Sequence, residues 1–201
     1  RDIHRNFNEA DAQWVKDKER ITNHDVKAVE YFVKEAMARL GVGEWKEFVH
    51  FGLTSQDVNN TAIPLSLKRA TEQVVLPLLD TLTADLASLA TTWKSVPMLA
   101  RTHGQPASPV TLGKEIQVFV DRLRGQRASL ASATYAAKFG GATGQFNAHH
   151  VAYPDVDWPA FGREFVEGCL GLTRTEVTTQ IEPYDHLAAW CDALRRIHTV
   201  L

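Results

Sequence analysis

The feature that most limits the possible folds of this chain is a long row of apolar residues within the segment 57–93. Its members recur at intervals of three or four residues: Leu67, Ala70, Val74, Leu78, Leu82, Leu86, Leu89 and Trp93. This spacing predicts one face of an α-helix, and at 1.5 Å per residue the helix would be about 50 Å long. A helix so much longer than the average of about 12 residues needs long partners, which predicts a bundle. Pro77 should kink it, because proline lacks an N–H and crowds the carbonyl four residues back.

The expected partners of this helix are residues 111–138 and the last segment of the chain. In the last segment the apolar residues again recur at three- and four-residue steps: Leu187, Trp190, Cys191, Leu194, Ile197 and Leu201. No glycine or proline closes that pattern, so we expect the sequence to stop within a helix. An earlier helix over 25–40 carries one apolar face: Val26, Val29, Phe32, Val33 and Met37. Since no clear alternating pattern indicates strands, the predicted fold class is all-α, an elongated long-helix bundle with a small helical N-terminal lobe.

Charge and composition exclude several classes of protein. The net charge of −2 lacks the basic footprint of a nucleic-acid-binding protein. No uninterrupted apolar run approaches the roughly 18 residues of a membrane span. Cys169 and Cys191 are the two cysteines, form no CxxC pair, and are predicted to be buried thiols in a reducing compartment. We therefore expect a cytoplasmic protein that binds neither nucleic acid nor membrane.

Three polar clusters stand where helices are expected to begin or end: TNHDVK at 22–27, HFGLTSQD at 50–57 and RTHGQP at 101–106. The first two supply these polar residues at helix starts: Asn23, His24, Asp25, Thr54, Ser55 and Asp57. One interpretation is capping, in which side-chain oxygens accept from free N–H groups. The other is that the helix start presents N–H and hydroxyl donors to an anionic ligand such as a carboxylate. Both interpretations can hold together.

His103 stands in a segment with little propensity for regular structure. Its neighbours Thr102, Gly104 and Gln105 form no apolar helix face, which argues against a packed core histidine. Two interpretations remain open: an ordinary surface histidine, or a general acid or base, since imidazole titrates near neutral pH.

No metal site is predicted. The sequence contains no HExxH motif, Cys/His quartet or GxxxxGK[ST] phosphate loop, which are the patterns that would carry such chemistry. The adjacent His149 and His150 would point apart on any regular element, and they precede the prolines of a loop expected to be ordered.

Taken together, five motifs resemble those of the adenylosuccinate lyases within the fumarase/aspartase superfamily. They are TNHDVKAVEYF, HFGLTSQDVNN, RTHGQPASP, GQFNAHHVAYPDVDW and TTQIEP, and the resemblance is closest to the bacterial subgroup. It implies elimination of fumarate from adenylosuccinate to give AMP, and from succinylaminoimidazole carboxamide ribotide (SAICAR) to give AICAR, in purine biosynthesis. It further implies no cofactor or metal, and a homotetramer whose helices form one bundle and whose active sites each take residues from three subunits.

The resemblance also implies roles for individual residues. His103 matches the histidine that protonates the departing nitrogen, and Thr102 lies beside it in the pocket. The remaining matches are substrate-binding residues: Asn23, His24, Asp25, Thr54, Ser55 and Gln180. His50 matches a histidine near the pocket.

The family's pattern is incomplete here, because the loop SSxMPxKxN with its proton-abstracting serine is missing. An N-terminal Arg-Tyr phosphate contact is missing as well. The resemblance therefore implies that residues 1–45 are the C-terminal part of an N-terminal helical lobe. Residues 46–201 would be the first part of the central helical-bundle domain, truncated within a helix and inactive alone. The alternatives are another lyase of this superfamily, or a non-catalytic helical assembly module.

Overall fold

The fold was determined as a computed structural model that describes residues 2–201. Helices dominate it: α1 (Asp2–Arg5), α2 (Glu9–Thr22), α3 (Asp25–Arg39), α4 (Ser55–Ala70), α5 (Leu76–Thr92), α6 (Leu112–Ala131), α7 (Asn147–Ala152), α8 (Trp158–Arg163) and α9 (Asp185–His198). A 3₁₀ helix, Gly43–Phe48, and two π-helical turns, Thr71–Val75 and Glu164–Cys169, complete the helical segments. The strands are short: β1 (Pro97–Thr102), β2 (Gln105–Thr111), β3 (Ala136–Ala137) and β4 (Thr173–Arg174). The predicted all-α class is confirmed.

The chain divides into two compact units. The first contains Arg1–Ile63 and Ala137–Pro183, and the second contains Pro64–Ala136 and Tyr184–Leu201. The boundary expected near residue 45 concerns the domains of a longer protein and stays a prediction.

In the first unit, α2 and α3 pack through small residues and one aromatic ring. Ala28, Phe32 and Ala36 are buried at four-residue spacing on α3. The rings of Phe7 and Trp14 lie 5.6 and 5.8 Å from that of Phe32. Four of the five residues of the predicted apolar face are buried or half-buried: Val26, Phe32, Val33 and Met37. The fifth, Val29, is 41% exposed.

In the second unit, α5, α6 and α9 share one apolar core, which confirms the partners predicted for the long helix. The core consists of Leu79, Leu123, Leu130, Ile197 and Val200. Burying each large aliphatic side chain of this kind contributes about 1.5–3 kcal/mol. Two polar contacts fix the packing: Trp190 Nε1 donates to Thr71 Oγ1 at 3.0 Å, and Arg127 forms two 2.8 Å hydrogen bonds with Asp80.

The long helical segment runs from Ser55 to Thr92 and contains a π turn in place of an α turn. The turn consists of Thr71–Val75 and ends two residues before Pro77, so the distortion expected at the proline takes this form. A π turn holds an extra residue. Downstream of it, Leu79 and Ala90 are buried, whereas the predicted Leu78 and Leu89 are 63% and 38% exposed.

One further expectation is wrong within the described residues. Cys169 and Cys191 are both exposed, because they lie on the outer sides of their helical segments rather than in the core.

The segment Ser55–Thr92 contains an 18-residue window of mean hydropathy 1.4, long and apolar enough by these measures alone to cross a membrane. Because the window includes interspersed polar residues, it does not stand out as an uninterrupted apolar run. The expectation that the chain does not bind membrane stays a prediction.

Gly113 permits the close approach of α6 to the end of α5. A Cβ at this position would meet the carbonyl oxygen of Ala90 and lie 2.7 Å from the backbone nitrogen of Lys94. We expect Gly113→Ala to lower the free energy of unfolding by about 1–3 kcal/mol, as other overpacked sites do, measured by urea denaturation. Gly125→Ala is the matched control on the same helix, because no atom lies within 4 Å of its added Cβ. Equal stability of the two variants would contradict the close approach.

Candidate functional site

An open cleft of about 920 Å³ lies in the first unit and gathers two of the three polar clusters. Its lining comes from α2, from the junction of α2 with α3, and from the start of α4: Gln13, Lys16, Glu19, Arg20, Asn23, His24, Asp25, Ser55, Gln56 and Asn59. Residues about 30 positions apart in sequence thus meet at one surface. Four of the predicted substrate-binding residues line this cleft.

The junction between α2 and α3 explains how the first cluster is presented. Asn23 ends α2 in the left-handed conformation, with φ of 50°, which asparagine tolerates better than most residues. His24 then caps α3, its Nδ1 accepting from the N–H of Lys27 at 3.3 Å. A neutral ring that accepts at Nδ1 carries its hydrogen on Nε2. The capping interpretation therefore holds for His24, and it leaves one ring nitrogen available as a donor.

The basic residues of the cleft pair with acidic residues on the same helix. Lys16 pairs with Glu19 at 2.8 Å, and Arg20 pairs with Asp17 at 2.9 Å. Exposed pairs of this kind contribute little to stability. Lys16 and Arg20 can therefore exchange these partners for the anionic groups of a ligand at small cost.

The second cluster begins α4, but its residues are used differently from one another. Ser55 is the first residue of the helix and lines the cleft. Thr54 is engaged with Asp57, whose Oδ2 accepts from the Thr54 backbone N–H at 2.8 Å and from its hydroxyl at 3.4 Å. Asp57 was expected to cap a helix beginning at its own position. It instead lies fully buried in the first turn, because the helix begins two residues earlier.

A buried ion pair connects α4 to the glycine-rich loop after β3. Asp57 Oδ1 accepts from Lys138 Nζ at 2.7 Å and from the N–H groups of Gly140 and Gly141 at 2.8 and 3.1 Å. Both charged side chains are fully buried. Lys138 was not among the residues predicted from the sequence. The feature that could have indicated it is that it carries the one charge in the otherwise uncharged stretch ATYAAKFGGA.

His50 lies outside the lining of the cleft. Its Nδ1 is 3.7 Å from Glu30 Oε2, and it borders a small apolar cavity of about 160 Å³ with Val49 and Leu53 among its walls. Burial alone would raise the pKa of Glu30, but its hydrogen bonds with Lys27 and Lys34 outweigh burial and lower that pKa. Glu30 is therefore an ionised neighbour of His50 Nδ1, whereas His50 Nε2 is buried and has no hydrogen-bond partner among the described residues.

Gln180 is exposed in the segment that follows β4 and is not among the residues that line the cleft. The two residues before it pack against the glycine loop. A Cβ on Gly144 would lie 2.7 Å from the carbonyl oxygens of Thr178 and Thr179, and its φ is +76°. The position of Gln180 thus depends on the loop that also contacts Asp57.

His103 occupies the turn of a β-hairpin in the second unit, a segment for which no regular structure was expected. β1 and β2 pair antiparallel from Pro97–Thr111 to Thr102–Gln105. His103 and Gly104 form the two-residue turn, with φ of 49° and 75°, as tight hairpins require. The strand could not be predicted from the sequence because it contains Pro106 and Pro109, and proline is depleted from strands. The exposed His103 ring contacts Thr102, with 3.0 Å between Oγ1 and Nδ1.

His149 and His150 occupy different environments. His149 is buried against Phe51 and Trp158, with ring centroids 5.5 and 4.7 Å away, whereas His150 is exposed. Burial lowers the pKa of His149, so its ring is neutral and serves as core packing. Among residues 2–201, no three His, Cys, Asp or Glu side chains form a group that could hold a metal ion.

Comparison with known proteins gives one family and a consistent set of relatives. The model of a family described as "Lyase" matches residues 1–201. An adenylosuccinate lyase of Dictyostelium discoideum is 53% identical over 206 residues, covering 100% of this chain and 44% of that protein. Those of Vibrio cholerae and Escherichia coli K12 are 47% and 45% identical over 98% and 97% of this chain, and 43% of each relative is covered. The chain thus spans less than half the length of these relatives.

A solved structure supports the fold. The 3-carboxy-cis,cis-muconate lactonizing enzyme of Pseudomonas putida superposes with a TM-score of 0.73 at 24% identity. The match covers 96% of this chain and 42% of that enzyme. It shows the shared helical fold and nothing about the substrate.

Proposed function

From the membership of this chain in the lyase family, which matches all of its residues, we propose that it forms part of an adenylosuccinate lyase. The full-length protein would eliminate fumarate from adenylosuccinate to give AMP, and from SAICAR to give AICAR. The observation that carries the proposal is the cleft of the first unit. It gathers the Asn23–Asp25 cluster and Ser55 beside the basic residues of α2.

The donors of this cleft suit the proposed substrate. Adenylosuccinate carries a phosphate and two carboxylates, so its site must supply cations and N–H donors. Lys16 and Arg20 provide cations alongside the carboxylates of Glu19 and Asp25, and the start of α4 at Ser55 provides N–H groups, which favour anions. An oxygen-rich anion therefore finds several donors in one place.

His103 is proposed as the acid that protonates the departing nitrogen. In the imidazolium form both ring nitrogens carry hydrogen, and Nδ1–H donates to the Thr102 hydroxyl across their 3.0 Å contact. The exposed Nε2–H is then the proton given to the amine as its bond to carbon breaks, which leaves a neutral ring with its hydrogen on Nδ1. Thr102 thereby orients the ring for this transfer.

Self-association is proposed from the apolar residues that the second unit leaves uncovered. Val74, Leu78 and Phe119 are 52%, 63% and 45% exposed. Apolar groups concentrated along long helices are typical of interfaces. A homotetramer in the cytoplasm, as the family resemblance implies, would cover them and could complete active sites with residues of neighbouring copies.

The test is whether the 201-residue chain binds a product without turning over substrate. We expect AMP to raise the melting temperature, since a ligand at 100 times its Kd adds about 2.7 kcal/mol. Adenylosuccinate should show no absorbance change, because the sequence lacks the family's serine loop. Arg20→Ala should reduce the AMP shift, whereas Lys46→Ala, an exposed lysine outside the cleft, should not.

Other results would favour the alternatives. No shift with AMP or fumarate would support an assembly module. A shift with fumarate alone, together with cleavage of a different succinyl compound by the full-length protein, would support another lyase of the superfamily.

A further inference from the structure

We propose that Lys138 and Asp57 are positioning residues, which together hold two substrate-binding segments of the proposed lyase in register. These segments are Thr54–Ser55 at the start of α4 and residues 178–180, which include Gln180. That these segments bind substrate rests on the proposed function. That they are connected to each other rests on the buried contacts of the first unit.

The Asp57 carboxylate joins two parts of the chain through its two oxygens. Oδ2 accepts from the backbone and hydroxyl of Thr54. Oδ1 accepts from Lys138 and from the backbone of Gly140 and Gly141. The carboxylate therefore fixes the helix start on one side and the glycine loop on the other, and Lys138 supplies the charge that allows it to be buried ionised.

The glycine loop in turn packs against the segment that carries Gln180, so a loop held by Asp57 also holds that segment. Within the loop, the N–H of Gly144 donates to the carbonyl of Gly141 at 3.2 Å. Gly144 packs directly on the backbone of Thr178 and Thr179. Displacing Gly141 from Asp57 would therefore shift the support beneath both threonines.

A second bond ties the same two segments independently. Asn60, one turn after Asp57 on α4, accepts from the backbone N–H of Glu182 through Oδ1 at 2.9 Å. The segment around Gln180 is thus held at both of its ends against α4. This double attachment is what a binding residue on an irregular segment needs in order to keep a fixed position.

Stability alone does not account for a charged pair at this position. Replacing a buried ion pair with apolar groups of similar volume is often neutral or stabilising. What the pair adds is a fixed relative position of two segments, because each oxygen of the Asp57 carboxylate accepts from donors of a different segment. Loss of the pair should therefore impair substrate binding even when the protein remains folded.

The experiment uses the full-length protein with the double variant Asp57→Asn/Lys138→Met, which removes both charges together. We expect its melting temperature to stay near that of the wild type. We expect KM for adenylosuccinate to rise about tenfold with kcat changed less, the pattern of lost ground-state binding. Lys46→Met is the control, since this exposed lysine lies in the same unit outside the network, and it should change neither constant.

Two other outcomes would overturn the positioning role. One is a stable double variant with wild-type KM. The other is a double variant that fails to fold, because the pair would then be a folding determinant. If the wild type does not cleave adenylosuccinate, the proposed function fails by itself. The connection of the two segments through Asp57 and Lys138 is then tested by amide hydrogen exchange at Thr54, Gly140 and Gly141. Faster exchange in a folded double variant supports it, and unchanged exchange overturns it.

Discussion

Replacing His103 with alanine in the full-length protein should lower kcat for adenylosuccinate cleavage by about 10²- to 10⁴-fold, the usual contribution of a positioned acid or base. KM should change much less, because a proton given to the departing nitrogen stabilises the transition state rather than the bound substrate. The loss is read from the absorbance change in steady-state assays at saturating substrate. The same variant should lose activity towards SAICAR in parallel, since both reactions expel a nitrogen.

The turn conformation of His103 demands a specific control. Its φ of 49° is unfavourable for alanine, so His103→Ala could act by distorting the hairpin. Asparagine tolerates this conformation but cannot supply an acidic proton. His103→Asn should therefore be as inactive as His103→Ala. Recovery of kcat in the asparagine variant, or a near-normal kcat in the alanine variant, would refute the acid role.

Breaking the buried ion pair from one side should have the largest effect on stability. Lys138→Met leaves the Asp57 carboxylate fully buried without its cation, and such one-sided losses cost about 3–5 kcal/mol. Asp57→Asn should cost a comparable amount, since it leaves a buried ammonium group unpaired. The free energy of unfolding from urea titrations of the full-length protein measures both.

The double-mutant cycle separates the pair from ordinary packing. Removing both charges should cost far less than the sum of the two single variants, giving a strong coupling energy. Lys46→Met again provides the exposed control and should stay within about 0.5 kcal/mol of the wild type. Additive losses would show that Lys138 and Asp57 do not act as a pair.

The sequence predicted the long helices well because their periodicity extends over many residues. The partners of the long helix, α6 and α9, follow from the same regular spacing. The clusters at Asn23–Asp25 and Ser55 could also be found, since polar residues at helix starts have a recognisable chemistry. Their meeting in one cleft is a tertiary property that spacing alone does not give.

What the sequence could not show depends on contacts between distant residues. The hairpin around His103 was hidden by its prolines, and its turn is formed by a histidine where glycine or asparagine is usual. Lys138 lies about 80 positions from Asp57, so nothing local reveals their pairing. His50 falls beside Glu30 for the same reason, through a contact between separate elements.

The π turn at Thr71–Val75 sets the angular phase of everything after it in the helix. One additional residue in a helix with 3.6 residues per turn rotates the following side chains by about 100°. The π turn absorbs that rotation. If the same residues formed an ordinary α turn, Leu78 and Leu89 would turn inward, and Leu79 and Ala90, which are now buried, would turn out to solvent. The face of α5 that is buried therefore depends on the π turn before it as well as on the sequence of α5.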